Sequence, residues 1–127
     1  MKKSATDAVT LTSPERVVYP NAGITKADVA EYYRSVAKWI LPELIRRPLS
    51  LVRCPGGVER ECFFQKHHTD ALGASVGAIP LQQKSGQEDY LYIEDLPGLL
   101  ALVQMNSLEF HPWGATIQAP ERPDRLI

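Results

Sequence analysis

Thr25-Lys26-Ala27-Asp28 constrains the fold more than any other stretch of this chain. It has the pattern of a helix capping box, with Asp in place of the usual Glu or Gln. Behind it Val29, Tyr33, Val36, Ala37 and Ile40 recur at helical spacing, which predicts a helix with one buried stripe. Pro42 is expected to end or kink that helix, and Glu43 to Arg47 to add another helical turn. A second helix is predicted where Asp95 offers a cap and Pro97 falls in the first turn, with Leu96, Leu99, Leu100 and Val103 as its apolar face. Elsewhere Pro and Gly cut the chain into short β-rich runs. Arg16 to Tyr19, Leu49 to Cys54, Cys62 to His67, Ile79 to Leu81, Tyr90 to Ile93 and Leu108 to His111 read as strands. Pro55-Gly56-Gly57 marks a tight turn, residues 68–78 read as a loop, and Gln82 to Asp89 as a polar hairpin. Two main helices among several strands, in this order, predict an α+β fold with a largely antiparallel sheet. Asp124-Arg125-Leu126-Ile127 is expected to begin a last strand. Strands average about five or six residues, so the chain reads as stopping inside one.

The remaining composition narrows the function classes. With 127 residues the chain fits one domain or part of one, residues 1–9 being expected as a flexible tail and residues 10–127 as the folded unit. No apolar run approaches the roughly 18 residues of a membrane span, and the start has no apolar stretch of a secretory signal. Membrane partners are therefore not expected, and a cytoplasmic location is. There Cys54 and Cys62 are expected as two reduced, buried thiols. Fourteen basic and 15 acidic residues give a net charge of -1. That balance weighs against a broad nucleic-acid surface but leaves room for a small phosphate site, which needs only two or three donors. Cys54, Cys62, His67 and His68 fit no usual zinc spacing, and there is neither a Walker loop nor a G-x-S-x-G elbow.

Three groups of residues could carry chemistry. Ser13, Arg16 and Lys26 flank the first strand–turn–helix, with Lys26 in the first helical turn, where free N–H groups and the helix dipole favour an anion. The competing reading makes Arg16 and Lys26 ordinary solvated charges. Phe63 and Phe64 point to opposite faces if they lie in a strand, so one can fill the core while the other offers a stacking platform for a base. Alternatively both are buried. His111 ends a strand before a Pro-Trp turn and could donate a hydrogen bond to a phosphate, or serve structurally.

Taken in order, several segments resemble the polymerase domain of bacterial ligase D, a family of the archaeo-eukaryotic primase superfamily that works in non-homologous end joining. They are the run Leu11 to Pro20, Gly23-Ile24-Thr25-Lys26, Arg47-Pro48-Leu49, Arg53-Cys54-Pro55, Phe63-Phe64-Gln65-Lys66, Glu109 to Gly114 and Arg122 to Ile127. The resemblance covers about residues 10–127. It implies that Ser13, Arg16 and Lys26 bind the 5′-phosphate of a DNA end, that Phe63 stacks on the adjoining base with Phe64 beside it, and that His111 contacts a nucleotide triphosphate. The family often has Asn in place of Ser13 and Lys in place of Arg16. It further implies a Phe and an Asp-x-Asp pair beyond Leu126-Ile127 that hold two divalent metals. No metal or other cofactor is therefore expected for this chain, and Mn or Mg only for a complete polymerase domain. The expected activity is recognition of a phosphorylated DNA end without polymerisation by this chain alone. Expected partners are 5′-phosphorylated DNA ends, a nucleotide triphosphate only if the missing half is supplied, and Ku and the ligase domain. The alternatives are a stand-alone, non-catalytic end-binding or interaction module, and a remnant without a function of its own.

Overall fold

A computed structural model describes residues 9–125. The tail expected at residues 1–9 therefore lies, apart from Val9, outside the described residues, as do Leu126 and Ile127. The elements in chain order are β1 (Val17–Tyr19), β2 (Ile24–Thr25), α1 (Lys26–Leu44), β3 (Leu49–Arg53), β4 (Phe63–Gln65), a single 3₁₀ turn at Asp70–Leu72, β5 (Gly77–Gln83), β6 (Gly86–Tyr92), α2 (Leu96–Gln104) and β7 (Ser107–Pro112). All strand pairs are antiparallel, so the fold is α+β as expected. The strands divide into three sheets, ordered β1-β2, β4-β3-β7 and β5-β6.

Both helix starts follow their local signals. The Thr25 side chain accepts from the Asp28 N–H at 3.2 Å, and the Asp28 carboxylate accepts from the Thr25 N–H at 2.9 Å. Asp95 accepts from the Gly98 N–H at 3.0 Å. Pro42 does not end α1. It falls in the last turn, where a missing N–H costs one bond, and the Ile45 N–H still closes on the Leu41 carbonyl at 2.9 Å. The helix stops at Leu44, so the extra turn expected to Arg47 is absent. Arg46 takes a positive φ of 57° and its N–H bonds to the Ile93 carbonyl, which turns the chain into β3.

The core lies around α2. Leu99, Leu100, Ala101, Leu102 and Val103 are all buried, so this helix is apolar on every side rather than on one face. Leu99 and Leu102 pack with Leu49 and Leu51 of β3 and with Leu91 and Ile93. Leu100 and Val103 pack with Val29 and Ala30 of α1. Gly98 permits this depth, because a Cβ there would come within 2.8 Å of the Ser75 carbonyl oxygen and 2.9 Å of the Ile93 Cβ. On α1 Val29 is buried, while Tyr33, Val36, Ala37 and Ile40 are half-buried.

The hairpin of β5 and β6 is longer than its polar sequence suggests. The strands pair from Gly77–Tyr92 to Gln83–Gly86, leaving only Lys84 and Ser85 at the tip. Gly86 has φ 115°, a backbone that favours glycine. Residues 82–89 alternate polar side chains on an exposed hairpin, so they lack the apolar run that would mark a strand.

Near the end of the chain, Asp124 and Arg125 lie outside any strand. Asp124 forms a two-pronged ion pair with the largely buried Arg47 at 2.8 and 3.0 Å. Arg125 bonds the Glu43 carboxylate at 2.7 Å. Charge pairing with the end of α1 and the following turn, together with backbone bonds from the Asp124 and Arg125 N–H groups to the Gly114 carbonyl, holds this segment.

The expectation of two reduced thiols is overturned. Cys54 and Cys62 are joined in a disulfide. The physical reason is the register of β3 and β4, in which Arg53 faces Phe63. The next residue outward on each strand is a cysteine, and their Cα atoms lie 4.3 Å apart.

Candidate functional site

The segment before β1 wraps the start of α1. Ser13 has a positive φ of 49°, and its carbonyl accepts from the Arg16 N–H at 3.1 Å, closing a turn. The Ala27 N–H then bonds the Pro14 carbonyl and the Lys26 N–H the Arg16 carbonyl, both at 2.8 Å. Two first-turn N–H groups of α1 are thereby used by backbone and are not free for an anion. Lys26 is buried, with 4% of its surface exposed, and its Nζ donates to the Thr12 carbonyl at 2.8 Å. Burial, and then the charge of Arg16, pull its pKa below the ordinary lysine value. Lys26 is therefore not a solvated surface charge. Arg16 is exposed, and its Nη1 donates to the Pro55 carbonyl at 2.6 Å. Ser13 is exposed on the turn.

The loop from Cys54 to Cys62 packs against this segment. Its Val58 N–H donates to the Val18 carbonyl at 2.9 Å. Gly57, at φ 93°, sits so close that a Cβ would lie 3.0 Å from the same oxygen. An open groove of about 1000 Å³ results, lined by Arg16, Pro55, Gly56, Arg60, Glu61 and Phe63. Arg16 and Phe63, 47 positions apart in sequence, thus share one surface.

Phe63 and Phe64 are both exposed, at 44% and 78%, so neither fills the core. They lie on β4, a three-residue edge strand with only β3 beside it. The guanidinium of Arg53 lies over the Phe63 ring, 4.9 Å from its centroid. Arg53 is itself held by the Met105 carbonyl at 2.8 Å and by Gln65 Oε1 at 2.6 Å. Beyond Phe63 a second groove of about 620 Å³ is lined by Arg53, Phe63, Phe64, Lys66, His67 and neighbouring residues. Phe63 is the wall between the two grooves. The role of Arg53 was not read from the sequence. The Pro-Gly-Gly turn alone would not have found it, because symmetric counting from residues 55–57 sets Arg53 opposite Glu59, whereas the strands pair it with Phe63 across a longer loop.

His111 does not itself line either groove, but its cross-strand neighbour Ser50 lines the second. His111 lies on β7 opposite Ser50 of β3, exposed, with its Nε2 2.9 Å from Glu109 Oε1. The described chain thus joins Arg16 and Phe63, buries Lys26 behind them, and keeps His111 on another strand. Among the described residues, no three His, Cys, Asp or Glu side chains come together. No helix among them is long and apolar enough to cross a membrane.

The fold of two helices and antiparallel sheets is that of a class of polymerase domains. The polymerase domain from Mycobacterium tuberculosis ligase D, solved in complex with DNA, superposes with a TM-score of 0.81 at 32% identity, over 87% of this chain and 38% of that one. Residues 25–127 match the family described as LigD, primase-polymerase domain. The multifunctional non-homologous end joining protein LigD of Pseudomonas aeruginosa is 35% identical over 98% of this chain and 15% of its own length. That of Mycolicibacterium smegmatis is 37% identical over 83% of this chain and 14% of its own. The chain belongs to the LigD primase-polymerase family, and spans about a seventh of the length of these relatives.

Proposed function

We propose that this chain recognises a DNA end bearing a 5′-phosphate, as the end-binding part of a LigD-type polymerase domain in non-homologous end joining. The observation that carries the reading is the sharing of one groove by Arg16 and Phe63. A guanidinium grips phosphate oxygens in a two-pronged, charge-assisted geometry, and an exposed ring beside it offers a face to the adjoining base. Lys26, buried behind with its Nζ on the Thr12 carbonyl, braces the Ser13 turn and adds positive potential from within. Its Nζ reaches a phosphate only if the segment around Thr12 moves aside. Ser13 adds an exposed hydroxyl on that turn.

The reading assigns no nucleotide addition to these residues. The Asp-x-Asp pair that the resemblance ties to metal binding does not occur in the 127 residues. For His111 to serve a triphosphate, its ring has to exchange the Glu109 carboxylate for phosphate oxygens.

Fluorescence anisotropy on a recessed duplex with and without the 5′-phosphate tests the proposal. A charge-assisted hydrogen bond contributes about 1.5–3 kcal/mol, so the phosphorylated end should bind at least roughly tenfold tighter. Arg16→Ala should erase most of that preference and Arg16→Lys keep part of it. Equal affinity of the unsubstituted chain for both duplexes overturns the reading.

A further inference from the structure

We propose that Arg60 is a second phosphate-binding residue of the same groove, and that its ligand is an internal phosphodiester of the DNA strand whose 5′ end meets Arg16. The inference rests on the end-binding reading and adds a contact to it. Arg60 and Arg16 line one groove, with Phe63 between the turn and the sheet. Arg16 already spends one guanidinium nitrogen on the Pro55 carbonyl. The Arg60 guanidinium makes no hydrogen bond, ion pair or ring contact among the described residues, and so has all its donors available.

Its position is nevertheless set. The stem of Arg60 packs on Gly56 so closely that a Cβ on residue 56 would lie 2.9 Å from both its Cβ and its Cγ. The Arg60 N–H closes a turn on the Gly57 carbonyl at 3.1 Å. The loop that carries it is tied at both ends by the Cys54–Cys62 disulfide and along its length to Val18 and Arg16. A cation so placed loses little further freedom on binding, which favours a geometric contact over a merely solvated charge. The groove is open, and its roughly 1000 Å³ is at the top of the range for small-molecule pockets. It suits a strand running through more than a lone phosphate ion. Glu61 also faces this groove and opposes an anion. Arg60 therefore has a neighbour whose removal should act in the opposite direction.

The test uses the complete 127-residue chain and recessed duplexes with a 5′-phosphate or a 5′-hydroxyl, titrated by anisotropy across roughly 50–200 mM salt. An internal phosphodiester is present in both duplexes. Arg60→Gln should therefore weaken both by the same factor, roughly three- to tenfold at low salt, and reduce the slope of log affinity against log salt by about 0.9. Glu61→Gln should tighten both. Arg16→Ala, by contrast, should act mainly on the phosphorylated duplex. Affinity and salt slope unchanged in Arg60→Gln overturn the inference, and so does a loss confined to the phosphorylated duplex. If the unsubstituted chain shows no preference for a 5′-phosphate while Arg60→Gln still loses affinity for both, the end-binding reading fails and the Arg60 contact stands.

Discussion

Replacing Cys54 and Cys62 together with Ala opens the short ring that carries Arg60 and borders the Arg16 groove. The disulfide joins positions eight apart in sequence. In the chain-entropy description a cross-link of that span removes about 2.5 kcal/mol of disorder from the unfolded chain. For a domain of this size that corresponds to a fall in melting temperature of roughly 10 °C. Cys54 is buried, so its truncation also removes packing, and the substitution alone would mix two effects. Melting the unsubstituted protein with and without a phosphine reductant separates them, because reduction breaks the bond and keeps both sulfur atoms. The expected pattern is a fall of roughly 10 °C on reduction for the native pair and no response to reductant in the double Ala variant. Titration of the unreduced, unfolded protein should find no free thiol. Two free thiols in that titration, or a melting temperature indifferent to reductant, would refute the argument.

Three further outcomes test other parts of the fold. Leu102 is fully buried against β3 and Ile93, so Leu102→Ala should cost about 3 kcal/mol by urea denaturation. Thr25→Ala removes one half of the capping box and should cost about 1 kcal/mol in the same measurement, with an unchanged denaturant slope. The hydrogen bonds from Arg47 hold the Asp124 carboxyl below its ordinary value of 3.8. Because the folded value is the lower one, this pair stabilises the fold above about pH 4 and the contribution disappears as pH falls through the folded value. Asp124→Asn should lower stability at neutral pH and flatten the acid limb of the stability profile. An acid limb identical to that of the unsubstituted protein would remove the assigned role.

Much of the fold follows from signals whose two halves lie close together in the chain. Thr25 finds Asp28 three residues on, and Asp95 finds Gly98 at the same distance, so both helix starts are visible locally. The Pro55-Gly56-Gly57 turn and the apolar runs on either side mark the β3–β4 pair in the same way. Where a local rule was applied too strictly, context overrode it: α1 runs through Pro42 because the missing donor falls in its last turn. The candidate site was legible only as residue types. The family pattern supplied the candidates Ser13, Arg16, Lys26, Phe63, Phe64 and His111, but not their mutual positions.

Those positions depend on contacts that no local pattern records. The Val58 N–H meets the Val18 carbonyl across 40 positions, and the Arg16 guanidinium meets Pro55 across 39. These two bonds bring the start of α1 and the Cys54–Cys62 loop to one groove, burying Lys26 and exposing Arg16. Periodicity along one strand could not tell that β4 is a short edge strand, or that neither of its faces is covered at Phe63 and Phe64, which are both exposed. Capping, turns and helical period act over a few residues and so are written in the order of the amino acids. Edges, grooves and burial arise only when distant segments close on one another.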